Sequence, residues 1–596
     1  MCGILCLYNK QRNVLEDCGK FNQMLHLLEH RGPDDSRTYF DSHVLLGHCR
    51  LSIIDLKGGK QPFEYTYQGK IYRIIFNGEI YNMNELKKHL IDLGFHFSSQ
   101  SDSEVLLVCF IAYREKCLNM LDGIFSFVIY YDDQIFACRD HLGVKPLYYY
   151  LKENDLIIAS EIKAILMYLG KCVVDKTGIK ELLGLGPSLS PGKTLYKDIS
   201  SLRPAHYLFY DGNNCVIERY WCLQKKPHLK SYEETIQDVR YLVNQSIQRQ
   251  LLSDVPISCM LSGGLDSSII TALSSQYVNN ISTYSIDYLD QEKYFKPYDY
   301  QLTRDSDYID EMVERYHSHH NNVVLSQKNL IIFLKQSMIA RDAPGMADID
   351  SSFLLFCKEI KRHHKVVLSG ECADEIFGGY PWFYKKELYS LDTFPWIQDI
   401  DQRLDLLNEN IKKLNIKDYV QNQYYQTLQE IDYLDQSFYD TNKRKMIYLN
   451  IEWFMQTLLT RSDSQSMYNA VELRVPFASK NLIEYMYKDQ QEKSVLRDAF
   501  KDFLPDDIYN RKKNPYPKTH SPFFLTYIKR LLLETLNDKN NILYQLFDIK
   551  KLKHFIEHSE TIEVPWFGQL MMGPQLLAYF YQIYVWGKIY HVELEL

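Results

Sequence analysis

The sequence predicts two domains of different fold class: an α+β sandwich at the N-terminus, followed by an α/β domain with a parallel sheet. Three observations support this prediction. The chain has 596 residues, which is more than one hydrophobic core usually supports. Residues 2–215 contain short strand patterns separated by turns, whereas residues 232–596 alternate strands with helices. We take these two ranges as the domains.

In the first domain, short apolar runs predict strands, and a helical period appears twice. The expected strands are 44–46, 71–76, 125–131 and 157–160, and the expected helices are 83–93 and 103–113. Residues 202–221 are also strand-like and should form the last edge of this domain. Strands interleaved with helices in this way favour a layered α+β sandwich.

In the second domain, the order of elements is typical of a parallel sheet. The expected strands are 257–261, 281–286, 323–325 and 365–368, with helices from about Asp266 and at 306–316. Residues 391–438 are polar with a helical period, which predicts helices on the surface. Residues 567–586 carry no charge, but they include three glutamines and the pair Gly573-Pro574. We therefore expect a buried helical hairpin there and not a membrane span.

The composition is that of a globular protein, with 46% hydrophobic and 24% charged residues. The net charge is −8, from 68 basic and 76 acidic residues, which argues against a nucleic-acid partner. The 13 cysteines are scattered, odd in number and without metal-ligand spacing, so we expect reduced thiols in the cytoplasm. The apolar run at 4–8 is too short for a signal peptide and has no basic region before it.

Cys2 becomes the N-terminal residue if Met1 is removed, as is normal before a small residue. It would then carry a thiol with a pKa near about 8.5 and an α-amine with a pKa near about 7.7–8.0. One residue could thus supply both a nucleophile and a general base. A lone cysteine is more often a small buried apolar side chain, so the neighbouring motifs must decide between the two interpretations.

Four motifs follow Cys2-Gly3-Ile4 along the chain. They are H-R-G-P-D at 30–34, R-L-S-I-I-D at 50–55, N-G-E-I-Y-N at 77–82 and S-D-S-E at 101–104. Together with Cys2 they resemble the class II, or N-terminal nucleophile (Ntn), glutamine amidotransferase domain over roughly the first 215 residues. The resemblance implies an Ntn-hydrolase sandwich and a glutaminase activity.

The same resemblance implies a role for each matching residue. Cys2 attacks the side-chain carboxamide of glutamine, while the Asn77 side-chain amide and the Gly78 N–H form the oxyanion hole. Arg50 pairs with the α-carboxylate of glutamine, and Asp102 and Glu79 hold its α-ammonium group. A simple hairpin turn at Asn77-Gly78 is the alternative. The expected glutamine-binding residues are Arg50, Leu51, Ser52, Ile53, Ile54, Asn77, Gly78, Glu79 and Asp102.

The segment L-S-G-G-L-D-S-S at 261–268 lies between a predicted strand and a predicted helix. Glycines there let the backbone approach a phosphate, and the absence of a following lysine excludes a Walker A loop. The segment resembles the pyrophosphate loop of enzymes that cleave ATP to AMP and pyrophosphate through an acyl-adenylate. With S-G-E-C-A-D-E-I-F-G-G-Y at 369–380, it resembles the asparagine synthetase domain, from about residue 232 to the C-terminus.

This second resemblance implies an ATP site. Asp266 and Asp374 would hold Mg²⁺ on the phosphates, since hard carboxylates suit that ion. Glu371 matches the glutamate proposed to assist the attack of ammonia on β-aspartyl-AMP. The expected ATP-binding residues are Leu261, Ser262, Gly263, Gly264, Asp266, Ser267, Ile286, Ser369, Gly370 and Asp374.

Two C-terminal motifs extend the resemblance. R-S-D at 461–463, S-M at 466–467 and E-L-R-V-P-F at 472–477 match a family motif that lies near the adenylation site. R-K-K-N-P-Y-P-K-T-H at 511–520 matches the segment with the phosphate-binding lysine, and Lys513 aligns best with that lysine. Cys372 stands where the family has a glycine, and Ala478-Ser479 stands where it has Leu-Asp. Neither departure removes a reacting group.

The sequence therefore predicts a glutamine-dependent asparagine synthetase that uses glutamine, aspartate and ATP, without nucleic-acid or membrane partners. We leave the formation of a homodimer open. Alternatives are a related amidotransferase with another carboxylate acceptor and a β-lactam-forming synthetase, although the intact Cys2, Asn77 and Asp102 favour a glutaminase. Other class II amidotransferases lack the pyrophosphate loop. A non-catalytic scaffold is disfavoured, because every expected reacting residue is present.

Overall fold

The computed structural model describes residues 2–224, 226, 228–295, 303–389, 391–397, 399–431, 438–489, 493–561 and 565–596. Within these residues, the first domain contains two six-stranded antiparallel sheets. In spatial order, the first sheet consists of Ile199–Ser201, Tyr148–Lys152, Asp155–Ala159, Gly3–Tyr8, Val44–Arg50 and Asp35–Phe40. The second sheet consists of Cys215–Arg219, His206–Tyr210, Gln134–Arg139, Gly123–Tyr131, Lys70–Ile80 and Phe63–Tyr67.

The two sheets pack face to face. Alternate residues of the strand Gly3–Tyr8 (Ile4, Cys6 and Tyr8) are fully buried in one core with residues of the second sheet. Helices cover the outer faces, which makes four layers and confirms the α+β sandwich. These helices are Cys18–His26 and Ile162–Leu169 on the first sheet, and Met83–Asp92 and Asp102–Tyr113 on the second.

The four strands predicted in this domain are confirmed, and each is longer in the structure, although the last one ends at Ala159 and not at residue 160. The segment 202–221 is not one strand but a hairpin of His206–Tyr210 and Cys215–Arg219, because the chain turns at Gly212, whose φ is +94°. The second strand of this hairpin forms the edge of its sheet, as expected.

The second domain is built on a five-stranded parallel sheet. Its spatial order is His319–Leu325, Ser282–Tyr288, Ile257–Met260, Val366–Leu368 and Glu472–Arg474. Four of these strands were predicted, and the fifth lies inside the E-L-R-V-P-F motif. The longer helices of this domain are Tyr232–Gln250, Leu265–Ser274, Ser306–Tyr316, Leu334–Arg341, Asp348–Ile360, Ile416–Gln429, Phe438–Leu449, Met455–Met467, Lys480–Asp489, Pro522–Thr535, Ile549–Glu557 and Gly573–Ile589.

The two remaining segments had different outcomes. The described part of 391–438 forms the predicted helices, of which Ile416–Gln429 is the longest, whereas residues 398 and 432–437 lie outside the described residues. The hairpin predicted at 567–586 is wrong, because Gly573–Ile589 is a single helix. Pro574 is compatible with its first turn, where the backbone N–H needs no helical partner. In the described part of the chain, no helix is long and apolar enough to cross a membrane.

The end of the chain returns to the first domain. Val592–Glu595 pairs in parallel with Cys172–Asp175, and Lys197 forms an ion pair with Glu595 at 2.8 Å. The two domains are therefore joined by backbone pairing as well as by side chains.

Candidate active sites

The backbone of Cys2 is held on two sides. Its N–H donates to Asn77 Oδ1 at 2.9 Å, and its carbonyl accepts from Arg31 Nε at 3.1 Å. The residue is buried, with 8% of its surface exposed. Burial raises the pKa of the Cys2 thiol, and the Leu51 N–H and the Arg50 guanidinium partly oppose this rise. The thiol therefore needs a nearby base, the role predicted for the α-amine.

Asn77 and Gly78 do not form a turn. They lie inside the strand Lys70–Ile80 and face Ser126 and Phe125 of the next strand, which rules out the hairpin alternative. Asn77 Nδ2 is buried and has no hydrogen-bond partner in the described part of the chain. A Cβ at Gly78 would lie 2.1 Å from the Ile124 carbonyl oxygen, so only glycine fits. The strand thus presents an unused donor beside Cys2.

Arg50 is already engaged with its own loop. Its Nη2 donates to the carbonyls of Ile54 at 3.1 Å and Asp55 at 2.7 Å, and its Nη1 donates to that of Leu56 at 3.3 Å. The segment 54–56 is therefore held against the end of the strand that carries Arg50. The contact of Arg50 with the α-carboxylate of glutamine stays a prediction.

Asp102 and Glu79 are buried near each other. Asp102 accepts the Ile80 N–H at 3.1 Å, and burial raises the pKa of Asp102 to about 6. Burial and the negative charge of Glu472 raise the pKa of Glu79 well above its usual range. Arg474 Nη2 of the second domain lies 3.7 Å from Glu79 Oε1. This acidic pair thus borders the interface between the domains.

The predicted ATP loop lies where the strand Ile257–Met260 ends and the helix Leu265–Ser274 begins. Gly263 has a φ of +65°, and a Cβ there would lie 2.6 Å from Tyr308 Cβ. The segment from Ser369 follows the neighbouring strand Val366–Leu368, so both loops meet at the same edge of the sheet.

These loops enclose a cavity of roughly 230 Å³. Of the residues predicted for ATP binding and synthesis, Gly263 alone is not part of the cavity wall. The cavity wall also contains apolar side chains of the second domain, among them Phe353, Phe356 and Phe454. The predicted residues in the wall are Leu261, Ser262, Gly264, Asp266, Ser267, Ile286, Ser369, Gly370, Glu371, Asp374 and Lys513.

Two lysines and two aspartates form a charge cluster in this cavity. Lys493 Nζ bonds Asp266 Oδ2 at 2.8 Å and also Asp374 Oδ1, while Lys513 Nζ bonds Asp374 Oδ2. Although burial opposes the shift, Lys493 and Lys513 lower the pKa of Asp374 well below its usual range. Burial would lower the pKa of Lys513, but the negative charges of Asp374 and Asp266 outweigh this effect and raise it. Two ammonium groups thus face two carboxylates, so the formal charges of the cluster balance.

Lys493 was missed from the sequence. It begins the helix Lys493–Ala499 and belongs to none of the recognised motifs, so no local signal marks it. The loop 568–570, which also lines the cavity, was missed for the same reason. Both reach the site only through the packing of distant segments.

Glu371 is bound by the helix Met455–Met467. Arg461 Nη2 donates to one carboxylate oxygen and Ser462 Oγ to the other. The R-S-D motif was predicted to lie near the adenylation site, and its first two residues bond Glu371 in the cavity wall. Asp463 does not line the cavity, and it bonds Arg31 of the first domain at 2.9 Å.

Cys372, the residue in place of a family glycine, has a left-handed backbone with φ +74°. Cys372 thus adopts a conformation that glycine adopts without strain, and its Cβ makes this conformation unfavourable by about 1–2 kcal/mol. The thiol is buried and lies in the cavity wall.

The fold and the two sites define a class of protein. A sandwich domain with a buried cysteine at position 2 is joined to a parallel-sheet domain with a glycine-containing loop between a strand and a helix, an arrangement typical of ATP-dependent amidotransferases. The two sites lie on different domains that share an extensive interface.

Comparison with known proteins identifies the family. The asparagine synthase family matches residues 238–580, and the glutamine amidotransferase domain matches residues 1–221. Asparagine synthetase [glutamine-hydrolyzing] 3 of Bacillus subtilis is 42% identical, with 100% of both chains covered. Asparagine synthetase 1 of the same organism is 29% identical over 87% of each chain. Asparagine synthetase B of Escherichia coli is 25% identical over 90% of this chain and 86% of its own. The chain belongs to the family of glutamine-hydrolysing asparagine synthetases.

Proposed function

We propose that this chain makes asparagine from aspartate, ATP and glutamine, with the first domain as glutaminase and the second as synthetase. The observation that carries the proposal is the cavity. Residues far apart in the sequence line one space, which contains the loop 261–268, Glu371, Lys493 and Lys513. The domains 2–215 and 232–596 are the proposed functional units.

In the first step, Cys2 Sγ attacks the amide carbon of glutamine. The Cys2 α-amine takes the thiol proton and passes it to the leaving nitrogen, which departs as ammonia. Asn77 Nδ2 and the Gly78 N–H stabilise the oxyanion, as the buried and unused Asn77 donor suggests. Water then hydrolyses the glutamyl thioester to glutamate and restores Cys2.

We propose that glutamine is bound by residues of three segments, namely Arg50, Leu51, Ser52, Ile53, Ile54, Glu79 and Asp102. Arg50 would exchange some of its carbonyl contacts for the α-carboxylate, which its planar group binds with two parallel hydrogen bonds. The α-ammonium would lie between Asp102 and Glu79. Burial raises the pKa of both carboxyls, and a cation bound between them would lower it again and favour their ionised forms.

In the second step, a β-carboxylate oxygen of aspartate attacks the α-phosphorus of ATP, and pyrophosphate leaves. Lys513 and Lys493 line the cavity, and their ammonium groups would neutralise the departing phosphates. The backbone of 262–264 and Ser267 would contact the pyrophosphate. The adenosine part of ATP would contact Leu261, Ile286, Ser369 and Gly370.

Mg²⁺ fits this site at Asp266 and Asp374. Asp266 Oδ1 is a buried carboxylate oxygen without a partner among the described residues, and carboxylates combined with phosphate oxygens suit this ion. Bound there, the ion would neutralise the charge of the phosphates. Lys493 now occupies Asp266 Oδ2 and would shift towards the phosphates.

In the third step, ammonia attacks the β-carbonyl of aspartyl-AMP, and AMP leaves. Glu371 accepts the proton that ammonia loses, and Arg461 with Ser462 fixes its carboxylate for this purpose. The apolar side chains of the cavity wall would keep water from the acyl-adenylate.

We propose that the protein acts in a reducing compartment such as the cytoplasm, since all 13 cysteines are free thiols. The assembly state, monomer or homodimer, is to be measured by light scattering.

The test is a complete product balance with ATP, aspartate and ¹⁵N-amide glutamine. We expect AMP, pyrophosphate, glutamate and ¹⁵N-asparagine in equal amounts, and Cys2→Ala should make asparagine only from added ammonium. Adenylation of a different carboxylate in preference to aspartate would support the alternative acceptor. Ring closure of a substrate without glutamine use would support a β-lactam-forming enzyme.

A further inference from the structure

We propose that the synthetase domain supplies a positioning residue to the glutaminase site. Asp463, on the helix Met455–Met467, orients Arg31, and Arg31 in turn holds the main chain of Cys2. This inference rests on the proposed glutaminase function of Cys2.

Arg31 is completely buried and has three anchors. Its Nε donates to the Cys2 carbonyl at 3.1 Å, its Nη1 to Glu161 at 2.9 Å, and its Nη2 to Asp463 at 2.9 Å. Cys2 and Glu161 belong to the same domain as Arg31, but Asp463 does not. One of the three contacts that fix the guanidinium therefore comes from the other domain.

Asp463 belongs to a buried network across the interface. The Lys145 Nζ lies 3.6 Å from Asp463 Oδ1, and His30 approaches Glu161 at 3.0 Å. Buried charges need partners, because removal of one partner leaves the other uncompensated. The network balances three cations against three carboxylates, namely Arg31, Lys145 and Lys163 against Glu161, Asp342 and Asp463.

The same helical turn reaches both active sites. Arg461 and Ser462 bond Glu371 in the synthetase cavity, and the next residue, Asp463, points to Arg31. Successive residues of a helix point in directions about 100° apart, so one turn can contact two sites. A shift of this turn when the adenylate forms would be passed to Cys2 through two hydrogen bonds.

The expected effect is on glutaminase turnover. Asp463→Asn keeps the shape of the side chain but removes the charge that orients Arg31. Misplacement of a reacting group by about 1 Å can cost about 100-fold, so we expect kcat for glutamine hydrolysis to fall by about 10-fold or more. The KM for glutamine should change by less than about threefold, because Arg31 contacts Cys2 and not the predicted glutamine-binding loop.

The experiment measures glutamine hydrolysis and ammonium-dependent asparagine synthesis on the same samples. Glu430→Gln is the matched control, because it breaks an ion pair across the same interface (Arg203–Glu430, 2.9 Å) that does not reach Cys2. Support is a loss of glutaminase kcat in Asp463→Asn, with ammonium-dependent synthesis within about twofold of wild type and Glu430→Gln normal.

Three results would overturn the proposal: normal glutaminase kcat in Asp463→Asn, an equal loss in Glu430→Gln, or a change confined to KM. If Asp463→Asn also loses ammonium-dependent synthesis, Arg31→Lys becomes the test variant. Lysine keeps the positive charge but cannot bond all three partners of Arg31. Normal glutaminase kcat in that variant would likewise refute the link. A wild-type protein without glutaminase activity would refute the proposed function instead.

Discussion

Substitution of Asn77 by alanine tests the proposed oxyanion hole. In the structure, Asn77 Nδ2 is buried and unpaired within the described residues, so alanine removes a donor that no protein group uses. Loss of one oxyanion donor typically costs about 2.7–4 kcal/mol of transition-state stabilisation, which is about 100- to 1,000-fold in kcat. Alanine also removes the acceptor of the Cys2 N–H, at 2.9 Å, so the upper part of this range is expected.

The assay is glutamate release over a range of glutamine concentrations. Because the donor acts on the transition state, kcat should fall while KM for glutamine changes by only a few-fold. Ammonium-dependent asparagine synthesis should stay normal, since it uses the other domain. Ser126→Ala is the matched control: Ser126 is the cross-strand neighbour of Asn77, and its Oγ is also buried without a partner in the described chain.

The control separates chemistry from packing. If Ser126→Ala lowers kcat as much as Asn77→Ala does, the loss reflects disturbance of the two strands. If Asn77→Ala changes kcat by less than about threefold, Asn77 is not an oxyanion donor, because that change is well under 1 kcal/mol. Asn77→Asp, which keeps the acceptor oxygen but replaces the donor with a carboxylate, should be at least as inactive as Asn77→Ala.

The other predictions concern the synthetase cavity. Lys513→Ala should abolish aspartate-dependent exchange of labelled pyrophosphate into ATP, whereas Glu371→Gln should keep this exchange and stop asparagine formation, because Glu371 acts after adenylation. Wild-type synthesis in either variant would mean that the active site is placed wrongly. Lys493→Ala should also lower the exchange, by about 10-fold or more, since it removes one of the two lysines that pair with Asp374 in the cavity. Normal exchange would limit Lys493 to pairing with Asp266 and Asp374 in the free enzyme. Cys372→Gly should shift the free energy of unfolding by less than about 1 kcal/mol, because glycine removes the strain of the left-handed backbone but also loses the buried side chain. Cys372→Val should lower the free energy of unfolding by about 1–3 kcal/mol, because a branched side chain fits this backbone poorly. Chemical denaturation measures both, and equal stability of the two variants would contradict the backbone argument.

Most of the fold could be predicted, because its elements carry strong local patterns. The helix Ser306–Tyr316 has the predicted bounds, and the parallel strands follow from apolar runs between turns. The error at 567–586 came from the pair Gly573-Pro574, which was interpreted as a break between two helices. Proline is equally compatible with the first turn of a helix, and only the packing of the preceding loop distinguishes the two cases.

The candidate sites could be predicted only where residues form contiguous motifs. The loops at 261–268 and 369–380 contain their own glycines and carboxylates, so each is recognisable alone. Lys493 is a single charged residue at a helix start, and such residues are usually solvated. Its burial beside Asp266 depends on how the helix Lys493–Ala499 packs, which no local pattern contains.

The charged residues of the E-L-R-V-P-F motif suggest how such contacts could be anticipated. Glu472 and Arg474 lie on a buried strand of a parallel sheet, a position where charges are costly unless they are paired. They bond each other at 2.6 Å, and Arg474 also approaches Glu79 of the other domain. A charge on a buried strand therefore indicates a partner of opposite charge nearby, and Arg474 has one on its own strand and one on the other domain. By this reasoning, Asp463 in a buried helix predicts a cation across the interface, and Arg31 is that cation.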